Sequence, residues 1–424
     1  MTHGEMGMTE GHFSFDRSLR LGVDLTPVLP GGENGGARVW VLELVRALAR
    51  KRPDWHFQLL TCSLNHEFLS PLDRPNVSRA LTDQGPVPKR EKEVNWPHLR
   101  RLWGVLPRSP RVRLKKILNA PFRHQPLHPS RKWDLLFCPF TAPFFWEPST
   151  PCVCLVHDLQ YRDYPEFFSR QDRASRDTHF REACDRSARL VVASNFVRDS
   201  VIRAGGIDPE KVLRIPIRRD QRSRQNGNGA ERVRRFGVSP GSYLIYPANL
   251  WPHKNHRMLL TAFGIFQARN PGNQIHLVLT GNTLERGEAL REELLALGLG
   301  SKVSLTGYVS DGDLINLLQN ALAMVFPSLY EGFGIPLLEA MSLAVPVLAG
   351  NRTAIPETCD GAALLVDPRG PFDWAAAIAR VVSDGELRAR LSEAGRIRVE
   401  RLGGAASMIS EFESLFLELA ARAN

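Results

Sequence analysis

Residues 327–339 read PSLYEGFGIPLLE, and this stretch is the most informative in the chain. The apolar run before it, Ala323 to Phe326, predicts a short buried strand, and Pro336 is typical of the first turn of a helix. Gly332 and Gly334 lie in the turn between them, where they let backbone N–H groups approach a ligand closely. The sequence therefore predicts a strand, a glycine-rich turn and a helix whose N-terminus faces that turn.

Two carboxylates flank the turn, Glu331 inside it and Glu339 in the helix that follows. The unpaired amides and the positive dipole end of the helix suit a phosphate, and the carboxylates can accept hydrogen bonds from sugar hydroxyls. Taken alone, Glu339 could cap its own helix and Glu331 could be a solvated loop residue. The complete pattern at a strand-to-helix junction favours nucleotide-sugar binding.

The spacing of Glu331 and Glu339, with the following Ala340-Met341 and Pro346-Val347, resembles the donor motif of the family 4 retaining glycosyltransferases. The resemblance implies the GT-B fold, an α/β fold in which two Rossmann-like domains face a cleft. It also implies that Glu331 contacts hydroxyls of the transferred sugar and that Glu339 holds the nucleotide ribose. The turn residues expected to line the donor are Gly332, Phe333, Gly334 and Ile335.

A second glycine-rich loop, Pro30–Gly36, follows the predicted strand Leu21–Leu25 and precedes a predicted helix. Its glycines fit neither the G-x-G-x-x-G spacing nor a Walker A motif, and a flexible turn is the alternative explanation. The resemblance puts Gly35 and Gly36 across the cleft from the donor diphosphate.

Strands and helices alternate along the rest of the chain, which predicts two α/β domains. We expect a flexible N-terminus over residues 1–18, an N-terminal acceptor domain over 19–217 and a C-terminal nucleotide-sugar domain over 241–400. The polar stretch 218–240 predicts a mobile linker, and the resemblance puts a last helix, 401–424, back on the N-terminal domain. The other predicted strands are 57–61, 135–138, 152–156, 190–193, 244–247, 275–279 and 303–305.

Lys254 is the predicted phosphate ligand, because the segment Pro247–His256 follows a predicted strand and should face the cleft from its carboxyl end. A cation there can neutralise a diphosphate leaving group, and an exposed lysine on a turn is the alternative. The family usually has an arginine where this chain has Asn249, which we still count among the donor contacts. Arg257 is a candidate replacement for the missing charge.

His157 follows the strand predicted to begin at Cys152, and a histidine at that point can reach the cleft. It matches the active-site histidine of the family, which touches the donor sugar near the reacting carbon. A structural histidine is the alternative. With Glu331 and Lys254, His157 completes the expected catalytic set.

Other strand ends supply the remaining expected donor contacts. Thr280-Gly281 ends a predicted strand toward the phosphates, so Gly281 is expected near them. The resemblance assigns backbone groups of Tyr308 and Val309 to the nucleotide base. The loop Asn351–Glu357 resembles the one beneath the donor, although Glu357 could do no more than cap a helix.

Neither the aspartates at 311 and 313 nor the cysteines predict a metal site. Asp311-Gly312-Asp313 has the spelling of a D-x-D metal motif, yet it lies directly before a helical run, where aspartate is a favoured cap. The six cysteines lack the paired spacing of a zinc site and should be reduced and mostly buried, with Cys152 and Cys154 on one face of a strand. We therefore predict no metal and no cofactor.

Composition indicates an ordinary globular chain, because 43% of its 424 residues are hydrophobic and 24% are charged. No apolar run approaches the roughly 18 residues of a membrane-spanning helix, and Met1–Arg17 lacks a signal-peptide core, so we expect a cytoplasmic protein.

The net charge of +10 suggests an anionic partner. The segment Lys89–Lys132 mixes basic residues with tryptophan and leucine, so it could lie peripherally on the inner face of an anionic membrane or pack as a solvated insertion. No nucleic-acid-binding motif accompanies the charge, so no nucleic-acid partner is expected.

The resemblance implies a retaining, metal-independent glycosyltransferase that moves a hexose from a nucleoside diphosphate sugar to a glycan or lipid-linked acceptor, in bacterial-type polysaccharide or glycolipid synthesis. Mannose is the first choice, because the segments 247–249, 253–255 and 157–158 look like bacterial polysaccharide mannosyltransferases. A GT-B sugar-nucleotide epimerase and an inactive glycan-binding protein are the alternatives. Product analysis with and without an acceptor separates the first, and the intact site residues argue against the second.

Overall fold

The computed structural model of this chain describes residues 18–31, 34–82, 133–219, 229–282 and 286–422. Within these residues the chain forms two parallel β-sheets in which strands alternate with helices, so the predicted α/β architecture with two Rossmann-like domains is confirmed. Three predicted features lie wholly or mostly outside the described residues: the flexible N-terminus, the segment Lys89–Lys132 and the centre of the linker.

The N-terminal sheet has the strand order β3-β2-β1-β4-β5-β6-β7 in the described part of the chain. Its central strands are short apolar runs whose residues are almost all buried, as expected for parallel strands covered on both faces. The strands are β1 Arg20–Asp24, β2 His56–Thr61, β3 Val77–Leu81, β4 Leu135–Cys138, β5 Cys152–Leu155, β6 Arg189–Val192 and β7 Val212–Arg214.

The C-terminal sheet has the strand order β10-β9-β8-β11-β12-β13 over the same described residues. Strands β8 and β11 are neighbours and run parallel, so the loops that follow them emerge side by side at one edge of the sheet. The strands are β8 Tyr243–Pro247, β9 His276–Thr280, β10 Val303–Gly307, β11 Ala323–Phe326, β12 Val347–Gly350 and β13 Leu364–Val366.

Helices follow the strands in the order expected of two Rossmann-like domains. Those of the N-terminal half are α1 Gly35–Lys51, α2 Gln160–Asp163, α3 Arg170–Arg186 and α4 Asn195–Gly205. Those of the C-terminal half are α5 Gly229–Arg234, α6 His256–Arg269, α7 Gly287–Ala296, α8 Asp311–Gln319, α9 Ile335–Ser342, α10 Ile355–Cys359, α11 Pro371–Ser383, α12 Gly385–Leu402 and α13 Ala405–Arg422.

Four strands were not predicted from the sequence. Three of them, β3, β7 and β13, lie at sheet edges. An edge strand has one paired neighbour and is partly solvated, so it lacks the continuous apolar run that marks a central strand. The fourth, β12, is fully buried but has only four residues, directly after Pro346 and ending in glycine. Short apolar runs bounded in this way carry little strand signal.

The last helix, α13, packs against α1 and β4 of the N-terminal domain. Phe412 and Phe416 on α13 contact Phe137 of β4, with ring centroids 6.0 Å and 5.3 Å apart. Glu413 accepts from Lys51 at 2.6 Å and from Arg52 at 3.0 Å, at the end of α1. Among the described residues, no helix combines the length and the apolar character needed to cross a bilayer.

The six cysteines are buried and unpaired, as predicted. Cys152 and Cys154 do face the same side of β5, where their sulfur atoms lie 3.7 Å apart. Cys138 on the neighbouring strand β4 joins them, with its sulfur 3.8 Å from that of Cys152. Burial raises the pKa of the Cys138 thiol well above its usual value. We interpret the three as core side chains, since each is at most 1% exposed.

Asp24 is a buried carboxyl at the end of β1, and it is 1% exposed. Its Oδ1 accepts from the backbone N–H of Thr26 at 3.0 Å and from the Thr26 hydroxyl at 2.6 Å. Its Oδ2 has no hydrogen-bond partner among the described residues. Burial, which disfavours the charged form, raises the pKa of Asp24 from 3.8 to about 7.

We expect Asp24→Asn to stabilise the protein more at about pH 8 than at about pH 5. The pKa of Asp24 is higher in the folded state than in the unfolded state. Its contribution to the free energy of unfolding is therefore complete below the unfolded-state pKa of 3.8 and is lost as the pH rises through the folded-state pKa of about 7. Asparagine cannot ionise and keeps the Oδ1 acceptor for Thr26. Melting temperatures of the variant and wild type at both pH values check this, with Asp199→Asn, an exposed carboxyl on α4, as the control. An identical difference at the two pH values would contradict it.

Candidate active site

The turn between β11 and α9 has the backbone geometry that the glycine pattern predicts. Gly334 is the residue before α9 and adopts a left-handed conformation, with φ of 96°, which a side chain would strain. Pro336 follows in the first turn of the helix, where its missing N–H costs nothing. The N-terminus of α9 therefore opens directly onto the glycine turn.

Lys254 and Glu331 form an ion pair, with Nζ and Oε1 2.5 Å apart and both side chains largely buried. The two residues follow the neighbouring parallel strands β8 and β11. Backbone contacts hold their loops together, since the N–H of Leu329 donates to the carbonyl of His253 at 2.8 Å. The side-chain amide of Asn255 adds a bond of 3.2 Å to the carbonyl of Pro327. These bonds therefore fix the two loops that carry Lys254 and Glu331.

Lys254 lies between two histidines that remain neutral. Burial and the charge of Lys254 lower the pKa of His253 to about 2 and that of His256 to about 4. At neutral pH the positive charge of this turn therefore belongs to the lysine.

His157 lies just beyond β5, on the N-terminal side of the cleft, with its ring near those of Trp40 and Phe140 at 6.1 Å and 5.7 Å. Its Nε2 is 2.8 Å from the carbonyl oxygen of Pro139, which can only accept, so Nε2 carries the proton. Burial lowers the pKa of His157 below its usual value. The ring is therefore neutral at pH 7, and its Nδ1 can accept a hydrogen bond.

The glycine turn of the C-terminal domain packs against the N-terminal domain. The hydroxyl of Ser194 donates to the carbonyl of Gly332 at 2.7 Å, and the hydroxyl of Tyr164 donates to the carbonyl of Leu329 at 3.3 Å. Tyr330 is buried, with its ring edge-on to those of Tyr164 and Phe196. Both hydroxyl donors belong to the N-terminal domain.

The loop 351–357 supports the turn from below. Thr353 accepts from the N–H of Glu331 at 3.0 Å through its hydroxyl. Glu357 accepts from the N–H groups of Asn195 and Phe196 at 2.8 Å and 3.2 Å, so it caps α4 of the opposite domain. The expectation that Glu357 caps a helix therefore holds for a helix across the cleft.

Two helix N-termini face each other across the cleft. A Cβ at Gly36, in the first turn of α1, would lie 3.7 Å from Cδ1 of Ile335, the first residue of α9. Both ends carry partial positive charge. Their approach makes a site that suits a diphosphate.

Gly281 and Asn249 meet beside this region. A Cβ at Gly281 would fall 2.5 Å from the carbonyl oxygen of Ala248, so the close packing requires glycine. The side-chain oxygen of Asn249 accepts from the N–H of Asn282 at 2.9 Å. In this structure the Asn249 side chain therefore orders a loop.

Glu339 lies on α9 and is largely buried, with an ion pair to Arg219 from the segment that follows β7. Arg219 also donates to both carboxylate oxygens of Glu43 on α1, at 2.6 Å and 2.7 Å. Arg219 was not among the predicted site residues, because its contact with Glu339 joins residues 120 positions apart and no local pattern marks it. Ser194 was missed for the same reason.

The structure also places three other predicted residues. Arg257, the candidate replacement for the missing arginine, is 79% exposed and pairs with Glu293 of α7 at 3.0 Å. Tyr308 directly follows β10 with its ring 77% exposed, and the base contact predicted for it is one of backbone groups. Its neighbour Val309 packs partly against the core.

The D-x-D motif, Asp311–Asp313, lies in the first turn of α8. The N-cap residue of this helix is Ser310 rather than an aspartate. The Ser310 hydroxyl accepts from the N–H of Asp313 at 3.2 Å and donates to its carboxylate at 2.7 Å. Asp313 also forms an ion pair with Arg235. Serine takes the cap because it precedes the aspartates at the position where the helix begins.

Two family profiles match the chain in succession. The profile described as "Glycosyltransferase Family 4" matches residues 34–217, and the profile described as "Glycosyl transferases group 1" matches residues 235–398. The chain is 27% identical over 287 residues to an O-antigen chain mannosyltransferase B of Escherichia coli, covering 64% of this chain and 75% of that protein. It is 27% identical over 257 residues to a mannosylfructose-phosphate synthase of Agrobacterium fabrum, covering 57% of this chain and 56% of that protein.

Among solved structures, the chain resembles Alr3699/HepE of Anabaena in complex with UDP and glucose. The TM-score is 0.68 and the sequence identity 17%, over 94% of this chain and 99% of that chain. At that identity the likeness concerns the fold alone, and it agrees with the predicted GT-B arrangement.

Gly332→Ala should separate the domains at the turn, because a methyl group at this position would overlap the carbonyl oxygen of His157. We expect a loss of about 1–3 kcal/mol in the free energy of unfolding and a larger radius of gyration by small-angle scattering. Gly264→Ala is the control, since its Cβ would make an ordinary contact of 3.7 Å with Leu299. Scattering curves for Gly332→Ala that superimpose on wild type would refute the expected separation.

Proposed function

We propose that this chain, which belongs to the family 4 glycosyltransferases, transfers a hexose from a nucleoside diphosphate sugar to a hydroxyl acceptor with retention of configuration. The contact between Lys254 and Glu331 carries the proposal. A sugar-facing carboxylate and a phosphate-facing ammonium in direct contact lie on the two sides of the bond that joins a sugar to its diphosphate.

Each group of the cleft has a role in this reaction. Glu331 accepts hydrogen bonds from hydroxyls of the transferred sugar, and the neutral ring of His157 approaches the same sugar from the opposite domain. Lys254 and the N-termini of α1 and α9 stabilise the charge that develops on the leaving diphosphate. Glu339 holds the ribose. The acceptor attacks the face that the diphosphate leaves, and the diphosphate takes the acceptor proton, so no nucleophile of the protein is required.

Mannose is the proposed sugar and a bacterial-type glycan or lipid-linked acceptor the proposed partner. The likeness to an O-antigen chain mannosyltransferase supports the first. The basic and aromatic composition of Lys89–Lys132 supports a peripheral membrane contact on the cytoplasmic side. The epimerase alternative predicts conversion of the nucleotide sugar without an acceptor, and thin-layer or mass analysis of the products distinguishes the two.

Glu331→Gln should lower kcat by about tenfold or more, at least about 1.4 kcal/mol of transition-state stabilisation, with little change in nucleoside diphosphate affinity. We expect kcat to change more than the affinity for nucleoside diphosphate, because Glu331 faces the sugar. Lys254→Ala is the matched variant from the other side of the ion pair and should weaken diphosphate binding measured by titration calorimetry. Near-wild-type turnover of Glu331→Gln would remove this glutamate from the reaction.

Transfer should proceed fully with a chelator present, because Lys254 and two helix N-termini neutralise the diphosphate. Asp313→Asn should leave kcat/KM unchanged and cost about 1 kcal/mol of stability or less, since Asp313 supports the start of α8. Steady-state rates with and without EDTA, Mg²⁺ or Mn²⁺ decide this. Activity that a chelator abolishes and a divalent metal restores would overturn the metal-free mechanism.

A further inference from the structure

Arg219 joins two carboxylates that belong to different domains. One nitrogen of its guanidinium donates to Glu339 on α9, and the other donates to Glu43 on α1, 2.6 Å from Oε1. Arg219 and Glu339 are largely buried, and Glu43 is partly exposed. The two carboxylates approach the same guanidinium, and its attraction for both outweighs their mutual repulsion.

The backbone that carries Arg219 is held in place from the other side. Arg218, the preceding residue, donates through Nε to the carbonyl of Leu402 at 2.7 Å and forms an ion pair with Glu411 of α13. Its backbone N–H approaches the sulfur of Met408 at 3.4 Å. Neighbouring arginines therefore reach in opposite directions, and Arg219 projects toward α9 from a fixed support.

A guanidinium is a planar fork, so its contact restricts the orientation of a carboxylate more than a lysine would. A carboxylate has about four acceptor positions and can accept hydrogen bonds from more than one donor. A carboxylate held in this way loses less conformational entropy when a ligand binds. The arrangement prepares Glu339 for a diol.

We infer that Arg219 is a positioning residue of the donor site, which orients Glu339 toward the ribose and, through Glu43, ties that orientation to α1. The inference rests on the proposed function, since it takes Glu339 as the ribose ligand. The opposite role, in which Arg219 competes with the ribose for Glu339, predicts tighter nucleotide binding when the arginine is removed.

Titration calorimetry with GDP, UDP and their 2′,3′-dideoxy analogues tests the inference on the full chain. Arg219→Gln should weaken binding of the preferred ribonucleotide about tenfold, the scale of one hydrogen bond to a charged group. Its affinity for the dideoxy analogue should stay within about twofold of wild type, because that ligand lacks the hydroxyls that Glu339 would hold. The double variant Arg219→Gln/Glu339→Gln should bind no more weakly than Glu339→Gln alone.

Arg218→Gln is the matched control, because it loosens the same segment without touching Glu339. It should lower the melting temperature and leave the ratio of ribo to dideoxy affinity unchanged, and Arg219→Lys should restore only part of that ratio. Equal weakening of both ligands by Arg219→Gln, or tighter binding, would overturn the positioning role while leaving the donor site intact. If Glu339→Gln weakens binding of the ribonucleotide and of its dideoxy analogue equally, Glu339 is not the ribose ligand. If the wild-type protein binds neither GDP nor UDP, the proposed function is wrong.

Discussion

The backbone of Gly332 lies against the backbone of His157 on the other domain, closer than any side chain at position 332 would allow. This contact sets the separation of the domains at the donor turn. The hydroxyl of Ser194 reinforces it through the carbonyl of the same glycine. Glu331 directly precedes Gly332. Glu331 and His157, the two residues proposed to face the sugar, therefore come close together because Gly332 has no side chain.

Charge in the cleft is matched locally. Lys254 pairs with Glu331, Arg219 pairs with two carboxylates, and burial keeps His157 neutral by lowering its pKa. The positive potential that these pairs leave unmatched then comes from the N-termini of α1 and α9. Oriented amides of this kind need little reorganisation when negative charge develops on a leaving group, which is why such a cleft suits diphosphate departure.

Local patterns predicted the parts of the site that local geometry controls. The strand, turn and helix around Gly334 follow from apolar runs, glycine and proline, and the meeting of Lys254 with Glu331 follows from loops at the carboxyl ends of parallel strands. Contacts between domains could not be predicted this way. Arg219 lies in an irregular segment, and its partnership with Glu339 depends on how two independently patterned domains dock. Edge strands such as β3 were missed because solvation dilutes their apolar signal.

The contacts that would have to open for a substrate to enter differ in kind from those that hold the domains together. The bond from Ser194 to Gly332 and the bridge through Arg219 are polar, and water can replace them at a small net free energy. The contacts of α13 with Phe137 are aromatic and buried, so exposing them would be far more costly. Opening of the donor turn would therefore break these polar contacts first and leave α13 on the N-terminal domain.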